Sequence, residues 1–231
     1  MSVDESYMVI AIDGTSGSGK SSTSRGVAET LGLRYLDTGA MFRAMTWWML
    51  EHGVDVQDPA AVAARCAEPA LASGTDPRHP RIEVDGIDVS EPIRSLPVTR
   101  AVSHVSVIPE VRARLLELQR DIIDCGGIVV EGRDIGTVVW PQAEVKVFLT
   151  ADAEARAQRR VAEHRHLGDT GSAREDLMTR DRIDSGRATA PLAQADDAVV
   201  IDTTELTLDE VIGMVVELAD EIERVEPGGG F

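Results

Sequence analysis

The stretch Val9-Ile10-Ala11-Ile12-Asp13-Gly14-Thr15-Ser16-Gly17-Ser18-Gly19-Lys20-Ser21 decides the fold. The apolar run Val9-Ile10-Ala11-Ile12, which ends at Asp13-Gly14, predicts a short buried strand. The residues from Gly14 to Ser21 match the phosphate-binding pattern G-x-x-x-x-G-K-S. In such a loop the glycines let the backbone curl, so that successive amides face phosphate oxygens, and the N-terminus of the next helix adds partial positive charge. The stretch therefore predicts a strand, a loop that binds a nucleoside triphosphate, and a helix from about Gly19 to Thr30.

The side chains of this loop have different expected roles. Lys20 would bridge the transferring phosphoryl group, and the hydroxyl of Ser21 would bind Mg²⁺ directly. The residues expected to surround the triphosphate are Gly14, Thr15, Ser16, Gly17, Ser18, Gly19, Lys20, Ser21 and Ser22. The only other lysine, Lys146, is followed by Val-Phe-Leu and lacks the Asn/Thr-Lys-x-Asp element with which GTP-hydrolysing switches read guanine. These features argue against a GTPase switch and against a flexible Gly/Ser linker.

Length and charge exclude several classes of protein. The 231 residues correspond to one large domain or to one domain with insertions. A formal net charge of −17 disfavours non-specific binding to nucleic acid, which requires many cations against the phosphates. The N-terminal residues are acidic where a signal peptide is basic, and no uncharged apolar run reaches the ~20 residues of a membrane span. With only two cysteines and no CxxC, we expect a cytoplasmic protein that binds neither nucleic acid nor membranes.

Apolar runs and helical patterns alternate along the rest of the chain. Further strands are predicted at about 33–36, 128–131, 145–149 and 198–201, and further helices at about 40–51, 59–66, 109–124 and 208–224. This order predicts an α/β fold, namely a five-stranded parallel sheet with helices on both faces. Between Arg81 and Ser90, polar and apolar residues alternate around Asp85-Gly86, which predicts an antiparallel hairpin in an inserted segment.

Three further segments carry charged residues suited to a second ligand. They are Tyr35-Leu36-Asp37-Thr38-Gly39-Ala40-Met41-Phe42-Arg43, Glu131-Gly132-Arg133-Asp134-Ile135-Gly136-Thr137, and the arginine-rich stretch that ends at Arg187. The first two follow predicted strands, and open α/β sheets bind ligands at the carboxyl ends of their strands. If the third is helical, Arg180, Asp184 and Arg187 share one face. Arginine suits phosphate binding because its planar guanidinium group can donate hydrogen bonds to two phosphate oxygens at once and stays positively charged.

Together with the phosphate loop and Arg187-Ala-Thr-Ala-Pro-Leu192, these segments resemble the bacterial cytidylate kinases, a family of P-loop nucleoside monophosphate kinases. The resemblance covers about residues 8 to 220. It implies a P-loop kinase core of residues 1–59, 102–155 and 188–231, an inserted part of the CMP-binding domain at 60–101, and a helical, arginine-rich lid at 156–187. The reaction implied is transfer of the γ-phosphoryl group of ATP to CMP or dCMP, a step of pyrimidine nucleotide metabolism.

The resemblance also implies roles for individual residues. Those implied to bind the acceptor are Arg43 and Arg133 at its phosphate, Ser103, Arg112 and Asp184 at cytosine, Asp134 and Arg180 at the ribose, and Arg187 near the transferring phosphoryl group. Lys20, Arg133, Asp134 and Arg187 are the implied catalytic residues. Asp37 is also among the residues expected to bind substrate; it would contact Mg²⁺ through water, or would serve as a helix cap alone. Phe42 departs from the tyrosine that is usual in the family, so any hydroxyl contact there is lost.

Two alternatives stay open at this point. One is a P-loop kinase of another small acceptor, such as shikimate or gluconate, although the insertion favours a bulkier acceptor. The other is a non-catalytic module that senses nucleotides, which would bind ATP and CMP without forming ADP. The sequence further predicts a monomer, with Mg²⁺ and ATP as the required cofactors.

Overall fold

The phosphate-loop strand lies at the centre of a parallel sheet in the computed structural model, which describes residues 7–164 and 192–225. The strands are β1 (Val9–Gly14), β2 (Arg34–Asp37), β3 (Leu71–Ser73), β4 (Ile82–Val84), β5 (Ile87–Asp88), β6 (Ile128–Glu131), β7 (Val145–Thr150) and β8 (Val199–Asp202). Over the described residues, five of them form one sheet in the order β2-β6-β1-β7-β8, with every neighbouring pair parallel. The predicted fold class is confirmed.

Helices connect the parallel strands. They are α1 (Lys20–Leu31), α2 (Thr38–Glu51), α3 (Pro59–Arg65), α4 (Leu96–Val105), α5 (Pro109–Ile123), α6 (Ala153–His164) and α7 (Leu208–Val225), with a 3₁₀ turn at Pro92–Arg94 and a π-helical turn at Ile135–Val139. Local chemistry sets their ends. Gly32 adopts a left-handed conformation (φ 68°) and closes α1. The Asp37 carboxylate accepts a hydrogen bond from the Ala40 amide at 2.9 Å and caps α2, which is one of the two roles considered for it; its contact with Mg²⁺ stays a prediction.

Strand register brings the carboxyl ends of three strands together. Glu131 at the end of β6 pairs with Asp37 on one side and with Ile12 on the other. Asp13 and the phosphate loop follow Ile12 directly. Three acidic side chains and the loop therefore meet at one edge of the sheet, where α/β proteins bind ligands.

Two apolar cores cover the two faces of the sheet. On one face, Ile10, Ile12 and Val129 pack with residues of α1 and α7. On the other face, Ala11 and Val130 share a core with residues of α2 and α5 and also with Val62, Ile82 and Ile93 of the segment 60–101. Because this segment shares that core, its position is fixed relative to the sheet.

The inserted segment contains more regular structure than its sequence indicates. The predicted hairpin is present as β4 and β5, and β3 extends it to a three-stranded antiparallel sheet. Helix α4 was not predicted, and the proposed boundary between residues 101 and 102 falls inside it. The division into core, inserted part and lid stays a prediction. Most of the predicted lid, from residue 165 onward, lies outside the described residues.

Two further expectations concern the whole chain. Across residues 7–164 and 192–225, no helix has the length and apolar character required to cross a bilayer. Both cysteines are free thiols, Cys66 buried and Cys125 exposed.

Replacing Gly14 by alanine is expected to destabilise the fold. A Cβ at this position would lie 2.0 Å from the Leu149 carbonyl oxygen, and φ is +149°. We expect the free energy of unfolding, measured by urea denaturation, to fall by more than about 1 kcal/mol. Gly213→Ala is the control: no atom lies within 4 Å of its Cβ, and alanine should stabilise helix α7 by about 0.5–1 kcal/mol. Equal stability of Gly14→Ala and the wild type would contradict the packing described.

Candidate active site

The phosphate loop has the backbone conformation that its glycines allow. Gly17 and Gly19 have φ values of 78° and 89°, in the left-handed region that other residues avoid. The side chain of Ser18 is fully buried, and its hydroxyl donates to the Thr15 carbonyl at 2.9 Å. Helix α1 begins at Lys20, so its first amides face the loop. This is the arrangement that binds a phosphate chain.

Lys20 lies across the loop that precedes it. Its ammonium group donates to the Thr15 carbonyl oxygen at 2.7 Å, next to the Ser18 hydroxyl on the same acceptor. The lysine charge is therefore already at the loop, and a phosphate oxygen can take the place of the carbonyl as its partner. Ser22 is exposed on the first turn of α1.

Ser21 is connected to a buried acid that sequence analysis placed in a motif without giving it a role. The Ser21 hydroxyl donates to Glu131 Oε2 at 3.0 Å, and the Tyr35 hydroxyl donates to Oε1 of the same carboxylate. Burial and the charge of Asp37 raise the pKa of Glu131 above its ordinary value. An acidic residue that ends an apolar strand was the available signal, because parallel sheets place such residues at the ligand edge.

Asp13 holds the turn that follows β6. Its carboxylate oxygens accept hydrogen bonds from the amides of Ile135 at 2.9 Å and Gly136 at 2.8 Å. Burial is the largest cause of its raised pKa of about 6, against an ordinary value of 3.8, and the two amides oppose that shift. Asp13 thereby fixes the π-helical turn immediately after Asp134.

Arg112 and Asp134 form an ion pair on the acceptor side. Their side chains are 10% and 7% exposed, respectively. Arg112 also donates to the Ser106 carbonyl at 3.2 Å, and its guanidinium lies 5.4 Å from the ring centre of Phe42. The face of an aromatic ring attracts a guanidinium cation. Phe42, which replaces the tyrosine usual in the family, therefore still contacts Arg112.

The other predicted acceptor residues have different surroundings. Arg133 donates to the Gly14 carbonyl and thus lies beside the phosphate loop. Arg43 donates to the Ile93 carbonyl at 3.1 Å and to the Thr99 hydroxyl at 3.0 Å, which places it against the inserted segment. Ser103 is buried on α4. Arg180, Asp184 and Arg187 lie outside the described residues. The roles assigned to all these residues stay predictions.

Side chains from two distant segments contact the loop from outside. Arg156 on α6 donates to the Ser16 carbonyl at 3.2 Å. The hydroxyl of Thr203, just after β8, lies 3.1 Å from the Ser18 carbonyl, and Arg159 donates to that hydroxyl at 2.8 Å. Sequence analysis placed Arg156 and Arg159 only within the predicted lid, and it missed Thr203. No local pattern marks Thr203, because its partners are far away along the chain.

The donor groups suit a hard cation bound together with a nucleotide. A hydroxyl oxygen from Ser21 and carboxylate oxygens from Glu131 and Asp37 lie at the loop, and oxygen is the ligand that Mg²⁺ prefers. Within the described ranges, no group of three or more His, Cys, Asp and Glu side chains could hold a metal by itself.

A phosphate-binding loop after the central strand of a parallel sheet, with acids and arginines at the neighbouring strand ends, defines a P-loop kinase. The fold is similar to that of an uncharacterized protein from Eubacterium ventriosum, with a TM-score of 0.51 and 13% identity over 93% of this chain and 98% of that chain. The family model described as Cytidylate kinase matches residues 10–221.

Curated relatives agree with this family. The cytidylate kinase of Streptomyces avermitilis is 57% identical over 93% of this chain and 93% of its own length. The cytidylate kinase of Streptomyces griseus is 58% identical over 93% of this chain and 94% of its own length. The chain belongs to the cytidylate kinase family.

The raised pKa of Asp13 predicts a loss of stability as the pH rises from about 4 to about 6. In this range the folded carboxyl, with a pKa of about 6, holds more protons than the unfolded one at 3.8, so the free energy of unfolding falls with pH. The difference between these pKa values corresponds to about 3 kcal/mol, at ~1.36 kcal/mol per pKa unit.

Asp13→Asn provides the comparison, because asparagine does not titrate. Urea unfolding of both proteins between about pH 4 and pH 8 should show the wild type losing stability relative to the variant up to about pH 6, with no further change above pH 7. The lost carboxylate acceptor only adds a pH-independent offset. A difference that is constant with pH would show that Asp13 does not carry the raised pKa.

Proposed function

We propose that this protein transfers the γ-phosphoryl group of ATP to CMP or dCMP, giving ADP and CDP or dCDP. The observation that carries the proposal is the meeting of two clusters at one sheet edge. Arg133 contacts the phosphate loop through the Gly14 carbonyl, and its neighbour Asp134 pairs with Arg112. A triphosphate in the loop and a nucleotide at Arg112 would thus be brought side by side. The relatives named cytidylate kinase support cytidine as the nucleoside.

Donor binding depends on backbone amides and one lysine. The amides from Gly14 to Lys20 surround the phosphate chain, and the helix dipole of α1 adds to their positive potential. Lys20 neutralises charge on the group that moves. Mg²⁺, when bound at Ser21, supplies further neutralisation of the phosphate oxygens. Glu131 orients the Ser21 hydroxyl through the 3.0 Å hydrogen bond, and Asp37 lies beside Glu131 in the neighbouring strand.

Acceptor binding depends on forked arginines and on groups that read the base. Arg43 and Arg133 would bind the acceptor phosphate, because a guanidinium offers two parallel donors and stays charged. Ser103, Arg112 and Asp184 offer donors and acceptors to the exocyclic amine and ring carbonyl of cytosine. A wrong base would leave these groups unpaired, which can cost a factor of about 10⁴ in rate. Asp134 and Arg180 would bind the ribose, and Arg187 would approach the transferring group.

The chemistry requires positioning rather than a general base. The acceptor phosphate is already a competent nucleophile and attacks the γ-phosphoryl group in line. The protein's contribution is to hold two anions together and to neutralise the charge between them. The arginine-rich segment 156–187 would close over both substrates and exclude water, which competes as an acceptor. Action as a monomer and in the cytoplasm stays a prediction.

The test of this function is a panel of acceptors. ADP release would be measured with CMP, dCMP, UMP, AMP and GMP at saturating ATP and Mg²⁺. We expect CMP and dCMP to give the highest kcat/KM, because only cytosine satisfies the groups at Ser103 and Arg112. A preference for UMP or AMP would overturn the cytosine assignment. Binding of ATP and CMP without ADP release would favour the nucleotide-sensing alternative, and turnover only with shikimate or gluconate would favour the other kinase alternative.

Lys20→Ala should slow the reaction strongly. Loss of one preorganised donor at the transferring group lowers kcat by about 10²–10³. Lys146→Ala is the matched control, because Lys146 is the one other lysine in the sequence and its ammonium group pairs with Asp197 at 2.6 Å. ADP release at saturating ATP and CMP measures both variants. Near-normal turnover of Lys20→Ala would refute the role of the lysine.

Arg112→Ala should mainly raise the half-saturating concentration of CMP. Its proposed contact is with the base, so ATP affinity should stay at the wild-type value. Arg114→Ala on the same helix removes a comparable contact, to the Pro69 carbonyl at 2.5 Å, and serves as the control for a change in stability alone. Steady-state kinetics with each substrate varied in turn separates the two effects. A selective loss of ATP binding in Arg112→Ala would contradict its placement.

A further inference from the structure

Carbonyl groups of the phosphate loop accept hydrogen bonds from side chains of three different segments. Arg133, after β6, donates to the carbonyl of Gly14. Arg156 on α6 donates to the carbonyl of Ser16 at 3.2 Å. The hydroxyl of Thr203 lies 3.1 Å from the carbonyl of Ser18. The contacted residues alternate along the loop, which makes the pattern more than a single chance contact.

Outward carbonyls are a condition for binding phosphate. Each peptide unit presents its amide and its carbonyl in opposite directions, so an amide that faces the phosphate requires a carbonyl that points away. A carbonyl turned inward would place a negative partial charge against the phosphate oxygens. A donor behind the loop therefore favours the binding conformation before the nucleotide arrives, and such preorganisation strengthens binding.

Thr203 has the clearest geometry of the three contacts. It is buried, and Arg159 binds it twice, with Nη1 donating to its hydroxyl at 2.8 Å and Nη2 donating to its carbonyl at 2.5 Å. The hydroxyl thus accepts from the guanidinium and keeps its single proton for donation. Its two remaining neighbours, Ser18 O and Thr150 O at 3.1 Å each, can only accept. The proton is therefore directed toward carbonyl oxygens.

We propose that Thr203 and Arg159 are positioning residues for the ATP site, which act by holding the Ser18 carbonyl away from the phosphates. Arg159 orients the Thr203 hydroxyl, and the hydroxyl fixes the loop. Helix α6 carries Arg159 and also Arg156, so the loop conformation depends on the placement of this helix. The inference rests on the proposed function only in naming ATP as the occupant of the loop.

Thr203→Val, Thr203→Ser and the control Thr207→Val together test the inference. Valine has nearly the shape of threonine but no proton to donate, whereas serine keeps the hydroxyl. Thr207 lies in the same connection and caps α7 with its side chain: its hydroxyl donates to Glu210 Oε2 at 2.7 Å and accepts from the Glu210 amide at 3.3 Å. Isothermal titration calorimetry with ATP and Mg²⁺ measures donor binding, and steady-state kinetics with each substrate varied in turn measures both half-saturating concentrations.

We expect Thr203→Val to weaken ATP binding by about three- to tenfold, as for the loss of one hydrogen bond. The half-saturating CMP concentration should stay unchanged, Thr203→Ser should restore ATP binding, and Thr207→Val should lose thermal stability without losing ATP affinity. Unchanged ATP binding in Thr203→Val would overturn the inference. It would also be overturned by equal changes for ATP and CMP, or by a serine variant as weak as the valine variant.

Arg159→Met keeps the test decisive if Thr203→Val does not fold. Methionine retains the length of the side chain and removes both hydrogen bonds to Thr203, so ATP binding should weaken in the same direction while CMP is unaffected. Unchanged ATP binding by Arg159→Met would then overturn the inference. Failure of the proposed function can be told apart from failure of this inference. In that case the wild type would bind ATP but phosphorylate neither CMP nor dCMP, and the ATP affinities of the variants could still be compared.

Discussion

The parallel register of β2, β6 and β1 is the constraint on which the site depends. Because Glu131 pairs with Asp37 and with Ile12, β2 and β6 end at the same level, and β1 continues two residues further to the start of the phosphate loop. The phosphate loop, the Ser21–Glu131 hydrogen bond and the turn held by Asp13 all follow from that alignment. A shift of one residue in β6 would turn Glu131 to the opposite face of the sheet and separate it from Ser21.

The cationic side chains at the site already have hydrogen-bond partners before any substrate binds. The chain as a whole has a net charge of −17, yet the groups at this edge are paired: Lys20 with the Thr15 carbonyl, Arg133 with the Gly14 carbonyl, and Arg112 with Asp134. Phosphate is a stronger acceptor than a carbonyl for these cations. Anionic substrates can therefore take over Lys20 and Arg133 from neutral carbonyl groups without leaving a charged partner behind. The negative surroundings restrict anion binding to the places where cations gather.

Local patterns predicted most of the fold, whereas contacts between distant residues were beyond sequence reasoning. The phosphate loop and the strands of the parallel sheet are short motifs with strong chemistry, so their positions were clear. Helix α4 has apolar residues at helical spacing and Pro97 in its first turn, where proline is tolerated. Its β-branched Val98, Thr99 and Val102, however, have low helix propensity. Strand β3 has only three residues and no buried alternation. The hydrogen bond from Thr203 to the Ser18 carbonyl joins positions 185 residues apart, and no sequence spacing encodes it.

The most direct measurement is a crystal structure of the protein with a non-hydrolysable ATP analogue, Mg²⁺ and CMP bound together. We expect the triphosphate within the loop from Gly14 to Ser21 and the cytosine against Ser103 and Arg112, with the α-phosphate of CMP facing the γ-phosphoryl group. A pyrimidine bound away from Arg112, or a triphosphate outside the loop, would contradict this expectation.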